Sequence, residues 1–106
     1  MAAPGPGLID RITSAANYLN GDTLILITWD EGNGTSTKGV DCTDPAVSEV
    51  SCTVVTIVVN PYVTPGASDS SSQNLYSLLG TVEDILGQPR LGRAIGQPSM
   101  RTGVGL

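Results

Sequence analysis

At 106 residues the chain makes one domain at most and can bury only a modest core. A net charge of −5, with Arg11, Lys38, Arg90, Arg93 and Arg101 scattered rather than clustered, argues against a nucleic-acid surface and against docking on an anionic membrane. Histidine is absent, which removes Ser-His-Asp and Cys-His catalysis and every His-ligated metal site, so any hydrolysis has to use carboxylates, hydroxyls or metal-activated water.

Residues 1–7, rich in Pro and Gly, read as a flexible N-terminal segment ahead of a single domain over 8–106. They lack a charged n-region and an apolar h-region, so no signal peptide is expected. No apolar run approaches the length of a membrane span. Leu8, Ile12, Ala15 and Leu19 recur at helical spacing and predict a helix over 8–19, stopped by Asn20-Gly21. Thr23 to Trp29 is an apolar, β-branched run without polar alternation, which predicts a strand buried on both faces. It ends in two adjacent carboxylates, Asp30 and Glu31, followed by Gly32-Asn33-Gly34. Carboxylates at the carboxyl end of a buried strand sit where α/β sheets collect ligands. A bound cation or exposure to water at the sheet edge would each relieve their burial.

The polar segment from Asp30 to Ser51 is long for a connection without structure of its own. Asp41, Asp44 and Glu49 within it are spare carboxylates able to reach back toward Asp30 and Glu31, or simply solvated. Asn33-Gly34-Thr35 is a short match to a glycosylation sequon. Cys42 and Cys52 read first as a loop-closing disulfide, which points to an oxidising compartment, and otherwise as free thiols. A second strand, apolar on both faces, is expected over Thr53–Val59 and ends at Asn60-Pro61. Asn60 and Tyr62 follow it as substrate contacts or as a strand-end cap and a packing residue. A second long helix is expected to start at Ser70 or Ser71, with Gln73 completing a capping box on Ser70, and to run to about Leu86. Its apolar face is Leu75, Leu78, Leu79, Val82, Ile85 and Leu86, with Glu83 and Asp84 on the solvated side. Arg90 to Leu106 reads as irregular. Two strands are a marginal sheet, so the fold is expected to be completed by a second copy.

Three segments in this order resemble a known family: Asp22-Thr-Leu-Ile-Leu-Ile-Thr-Trp-Asp-Glu-Gly32, then Val54-Val-Thr-Ile-Val-Val-Asn-Pro-Tyr-Val-Thr-Pro-Gly66, then Leu75 through Gly92. They are similar to the C-terminal part of the bacterial phosphoesterases that include phosphocholine-type phospholipases C and secreted acid phosphatases, within the alkaline-phosphatase superfamily. The resemblance implies an α/β fold: a partial alkaline-phosphatase-like sheet with two main strands flanked by helices. It also implies an extracytoplasmic setting. The family's acidic pair holds metal, so Asp30 and Glu31 are the implied metal ligands. The family's Asp-His pair falls at Val40-Asp41-Cys42, which makes Asp41 a third candidate ligand. Family members are longer, and their N-terminal acidic-Asn metal motif and Ser or Thr nucleophile have no counterpart in this chain. A family histidine is replaced by Leu75.

The implied activity is metal-dependent hydrolysis of phosphate esters, diesters ahead of monoesters. Asp30 and Glu31 are the catalytic pair, metal-bound hydroxide is the attacking group, and Ca²⁺, Mg²⁺, Mn²⁺ or Zn²⁺ is the cofactor. The partner is a small phosphate ester or a phospholipid headgroup, touched by Asn33, Asn60 and Tyr62. Two copies in a homodimer would pool ligands near Asp30. The alternatives are a truncated or self-associating, metal-binding module without catalysis, and a small secreted binding domain using the disulfide-closed loop.

Overall fold

The computed structural model describes residues 4–32, 40–42, 44, 46–47 and 50–106. Asn33, Thr35 and Glu49, and with them the sequon, lie outside the described residues. In chain order the elements are α1 (Leu8–Thr13), α2 (Ala16–Leu19), β1 (Ile25–Ile27), a 3-10 turn at Val50–Cys52, β2 (Ile57–Val59), α3 (Leu75–Ile85), a second 3-10 turn at Gly92–Ala94 and α4 (Arg101–Val104).

The helix expected over 8–19 is two short helices. Thr13 Oγ1 donates to the Ile9 carbonyl at 2.9 Å and Ser14 Oγ to the Asp10 carbonyl at 2.6 Å. Side-chain hydroxyls that take up helix carbonyls compete with continuation of the helix. Ala15 then turns to extended backbone (ψ 149°) before α2 begins. α2 ends as the Asn20-Gly21 pair predicts. Gly21 adopts φ +87°, its N–H reaches the Tyr18 carbonyl, and the Asp22 N–H reaches Asn17. This is a Schellman arrangement, which a left-handed glycine permits. The Tyr62 ring lies against Gly21, where an added Cβ would collide with Cε2.

β1 and β2 pair antiparallel, with Ile25 opposite Val59, Leu26 opposite Val58 and Ile27 opposite Ile57. The register continues past the ladder, since Thr56 Oγ1 donates to Thr28 Oγ1 at 2.9 Å. Both strands are shorter than the runs that announced them, and neither is buried on both faces. Ile57 is 44% exposed and Val55 is 60% exposed. A continuous apolar run is buried on both faces only where layers cover both sides. Here a two-stranded sheet stands with little over it. Asn60 closes the strand end: Nδ2 donates to the Thr23 carbonyl at 2.8 Å, and Oδ1 accepts the Tyr62 N–H at 2.8 Å.

α3 starts at Asn74 rather than Ser70 or Ser71. Asn74 Oδ1 accepts the N–H groups of Tyr76 and Ser77 at 2.9 and 3.0 Å, and Ser77 Oγ accepts the Asn74 N–H at 3.2 Å. Gln73 instead donates to Ser71 and Asp69. Replacing Asn74 with alanine is expected to cost about 1 kcal/mol, as loss of an N-cap does. Urea unfolding with Asn74→Asp as a retained cap checks it.

The helix buries the opposite side from the one its periodicity marks. Ser77, Gly80, Thr81 and Glu83 are buried, whereas Leu75, Leu79, Ile85 and Leu86 are exposed. The reason is the segment after the helix, which docks through polar bonds onto the small-residue stripe. Thr81 Oγ1 accepts the Met100 N–H at 2.9 Å, and Glu83 Oε1 accepts the Leu91 N–H at 3.2 Å. Arg90 packs on Gly80 and donates to Asp84 and to the carbonyls of Ala94 and Gln97. Glu83 is therefore not solvated as expected, and Asp84 is paired, at 2.6 Å from the Arg90 guanidinium. Arg90 to Leu106 is largely irregular, but short turns and α4 order it. Among the described residues, Ala94 is the one buried apolar side chain.

The Arg90 guanidinium donates to both oxygens of Asp84 and holds that carboxyl below its ordinary value. A depressed folded-state value stabilises the fold above the unfolded value, about 3.9 for aspartate, and that contribution fades as pH falls through the folded value. The Ser71 hydrogen bonds depress Asp69 in the same direction. Stability is thus expected to fall as pH drops below about 4, and Asp84→Asn to flatten that fall. Urea midpoints measured across this range check both.

Candidate functional site

The β1–β2 ladder ends at Ile27–Ile57, the Thr56–Thr28 hydroxyl bond follows it, and the Asp30-Glu31 turn lies just past this paired part of the sheet. Asp30 Oδ1 accepts the Glu31 N–H at 2.9 Å, an interaction that shapes the turn locally. The Gly32 N–H donates to the Ser51 carbonyl at 2.7 Å, and Ser51 is buried. Ser51 precedes Cys52, which is disulfide-bonded to Cys42 with their Cα atoms 5.2 Å apart. The disulfide expected from the sequence therefore forms, and it ties the 3-10 turn that receives the acidic turn, Val50–Cys52, to Cys42. Nothing in the spacing of residues marked the Ser51 carbonyl for this role.

Both carboxylates are exposed, and both border a groove of about 1190 Å³ that runs along β2. Asp44 borders the same groove and accepts the Ala46 N–H at 2.9 Å. Asp41 is exposed and does not line it, although its carbonyl accepts the Asp44 N–H at 3.1 Å. Of the loop acids, then, Asp44 rather than Asp41 shares the groove with the acidic pair. Among the described residues no group of three or more His, Cys, Asp or Glu side chains is close enough to hold a metal ion.

Of the candidate substrate contacts, Asn60 lines the groove while its amide is bonded to the chain around Gly21 and Thr23. Tyr62 instead borders a second, smaller cavity of about 220 Å³. Thr28 is half-buried and engaged by Thr56, and Ser77 is buried in the α3 cap, so neither hydroxyl faces a substrate. No helix among the described residues is long and apolar enough to cross a membrane.

No family model, curated protein or solved structure matches this chain.

Proposed function

We infer that the chain is a metal-dependent phosphoesterase whose cation site is the Asp30-Glu31 turn. The observation that supports the reading is the pairing of two exposed carboxylates at the carboxyl end of β1, facing one groove and braced by the Gly32–Ser51 bond. Two carboxylates fit a hard divalent ion that completes its shell with water and substrate phosphate, the habit of Mg²⁺. Mn²⁺, Ca²⁺ and Zn²⁺ also accept carboxylate oxygen. When bound, such an ion supplies charge neutralisation at phosphoryl oxygen and an acidified water. Asp30 and Glu31 hold and orient it, and the groove along β2 receives the ester, a small phosphodiester ahead of a monoester or a phospholipid headgroup. The homodimer belongs to this reading, because two strands alone make a marginal sheet.

The test is hydrolysis of a chromogenic phosphodiester with added Mn²⁺, Mg²⁺, Ca²⁺ or Zn²⁺. Turnover that is lost in EDTA and restored by one of these ions is expected. Equal turnover with and without chelator rules the reading out. A second reading, a self-associating module without catalysis, is favoured by the amount of apolar side chain left in solvent on α3 and β2.

A further inference from the structure

The smaller cavity, of about 220 Å³, forms where the entry to β1, the exit from β2, the end of α3 and the α4 segment meet. The strands run antiparallel, and Asp22 and Asp30 flank β1 on opposite sides, so this is the end of the sheet away from the acidic turn. Its lining is divided by chemistry. Leu24, Ile85, Leu106 and the Tyr62 ring make an apolar wall, and Tyr62 and Ile85 leave apolar surface in solvent there. Asp22 and Arg101 bring opposite charges to it from separate parts of the chain.

Those two charges are open. Both residues are exposed, and neither side chain makes a hydrogen bond or ion pair with a described residue or with the other. Arg101 reaches Asp84 only through its charge, and Asp84 is already closed by Arg90. The other arginines near α3 are engaged: Arg90 on Asp84, and Arg93 over the Tyr76 ring at 4.7 Å. The frame around the open pair is held by backbone bonds. The Asp22 N–H reaches the Asn17 carbonyl, and Asn60 Nδ2 reaches the carbonyls of Gly21 and Thr23 on either side of Asp22. Across the cavity, the Leu106 N–H reaches the Arg101 carbonyl and the Thr64 N–H reaches Val104.

We propose that this cavity binds a small zwitterion, a short apolar skeleton with an ammonium at one end and a carboxylate at the other. The ammonium meets Asp22. The carboxylate meets the Arg101 guanidinium, whose planar fork matches two carboxylate oxygens. The skeleton lies on Leu24, Ile85, Leu106 and the Tyr62 ring. Charge decides the class. A ligand of one sign is attracted by one of the two residues and repelled by the other, whereas a ligand of both signs gains at each end. Size agrees, since the cavity is smaller than the roughly 300 Å³ at which sites for drug-sized ligands begin. Neither Asp22 nor Arg101 borders the groove of the acidic turn, so this site stands or falls apart from the phosphoesterase reading.

The probe is 6-aminohexanoate, followed through the backbone amide resonances of the full chain. Hexanoate and hexylamine are the single-charge controls on the same skeleton. Saturable shifts are expected at Gly21, Asp22, Leu24 and Leu106, with a dissociation constant on the order of 1 mM, the scale of a small open site. Each control is expected to bind about tenfold more weakly. Asp22→Asn and Arg101→Gln are each expected to weaken binding of the zwitterion about tenfold. Both side chains are exposed and unbonded, so either change is compatible with folding, and far-UV circular dichroism verifies it. Asp22→Asn is expected to spare hexanoate and Arg101→Gln to spare hexylamine, a crossed pattern that a general loosening of the fold does not produce. No saturable shift at these amides overturns the site. Binding that both substitutions leave unchanged, or a control that binds as tightly as the zwitterion, overturns the roles given to the two charges.

Discussion

Asp30→Ala is expected to lower metal-stimulated phosphodiester hydrolysis by about a hundredfold or more, the scale on which a metal site loses function when its ligand shell is damaged. Asp30 has two separable roles. One oxygen accepts the Glu31 N–H and shapes the turn, and the carboxylate charge attracts the cation. Asp30→Asn retains the oxygen for the turn and removes the charge. It is therefore expected to fold like the unmodified chain and still lose most of the activity. If Asn supports normal turnover, the charge is not used and the turn is structural. Asp44→Asn is expected to have a smaller effect, because Asp44 borders the same groove but is committed to the Ala46 N–H. Asp41→Asn is expected to have the least effect of the three, since Asp41 lies off the groove. Comparing kcat/KM for the four variants in one metal buffer orders these residues.

The second large effect is expected from the disulfide. Cys42 and Cys52 are ten positions apart, and closing a loop of that length restricts the unfolded chain by about 2.7 kcal/mol on a chain-entropy account. In a protein whose buried apolar side chains, among the described residues, come down to Ala94, that is a large share of the net stability. The bridge also holds Cys52 beside Ser51, whose carbonyl receives Gly32 directly after the acidic pair. Removing it with Cys42→Ser and Cys52→Ser is expected to lower the urea midpoint sharply and to weaken cation binding at Asp30 and Glu31 together. A double variant within about 0.5 kcal/mol of the parent would mean that the bridge constrains neither the fold nor the turn.

The parts of this fold legible in the sequence were those decided by neighbours along the chain. The Asn20-Gly21 stop, the two β-branched runs, the Asn60-Pro61 strand end and the cysteine pair all appear where local chemistry places them. What was not legible was which face of an element meets another. The leucine stripe of α3 marks a core-facing side, yet Arg90, Met100 and Leu91 bind the opposite side through Gly80, Thr81 and Glu83. Those bonds span up to 19 positions and leave no periodic trace. The start of α3 was ambiguous because Ser70, Ser71 and Asn74 can all cap. Ser77 settles it by bonding back to the Asn74 N–H. The carboxylates of the candidate site were visible because two acids ending an apolar run are chemically conspicuous. Their anchor was hidden because it is a backbone carbonyl.

The most direct measurement is a crystal structure grown with Mn²⁺ and phosphate, with anomalous scattering recorded at the manganese edge. An anomalous peak is expected within coordination distance of the Asp30 and Glu31 carboxylates in each copy, with phosphate oxygen beside it in the groove along β2. An Asp30-Glu31 turn surrounded only by water, with manganese bound elsewhere or not at all, would contradict it.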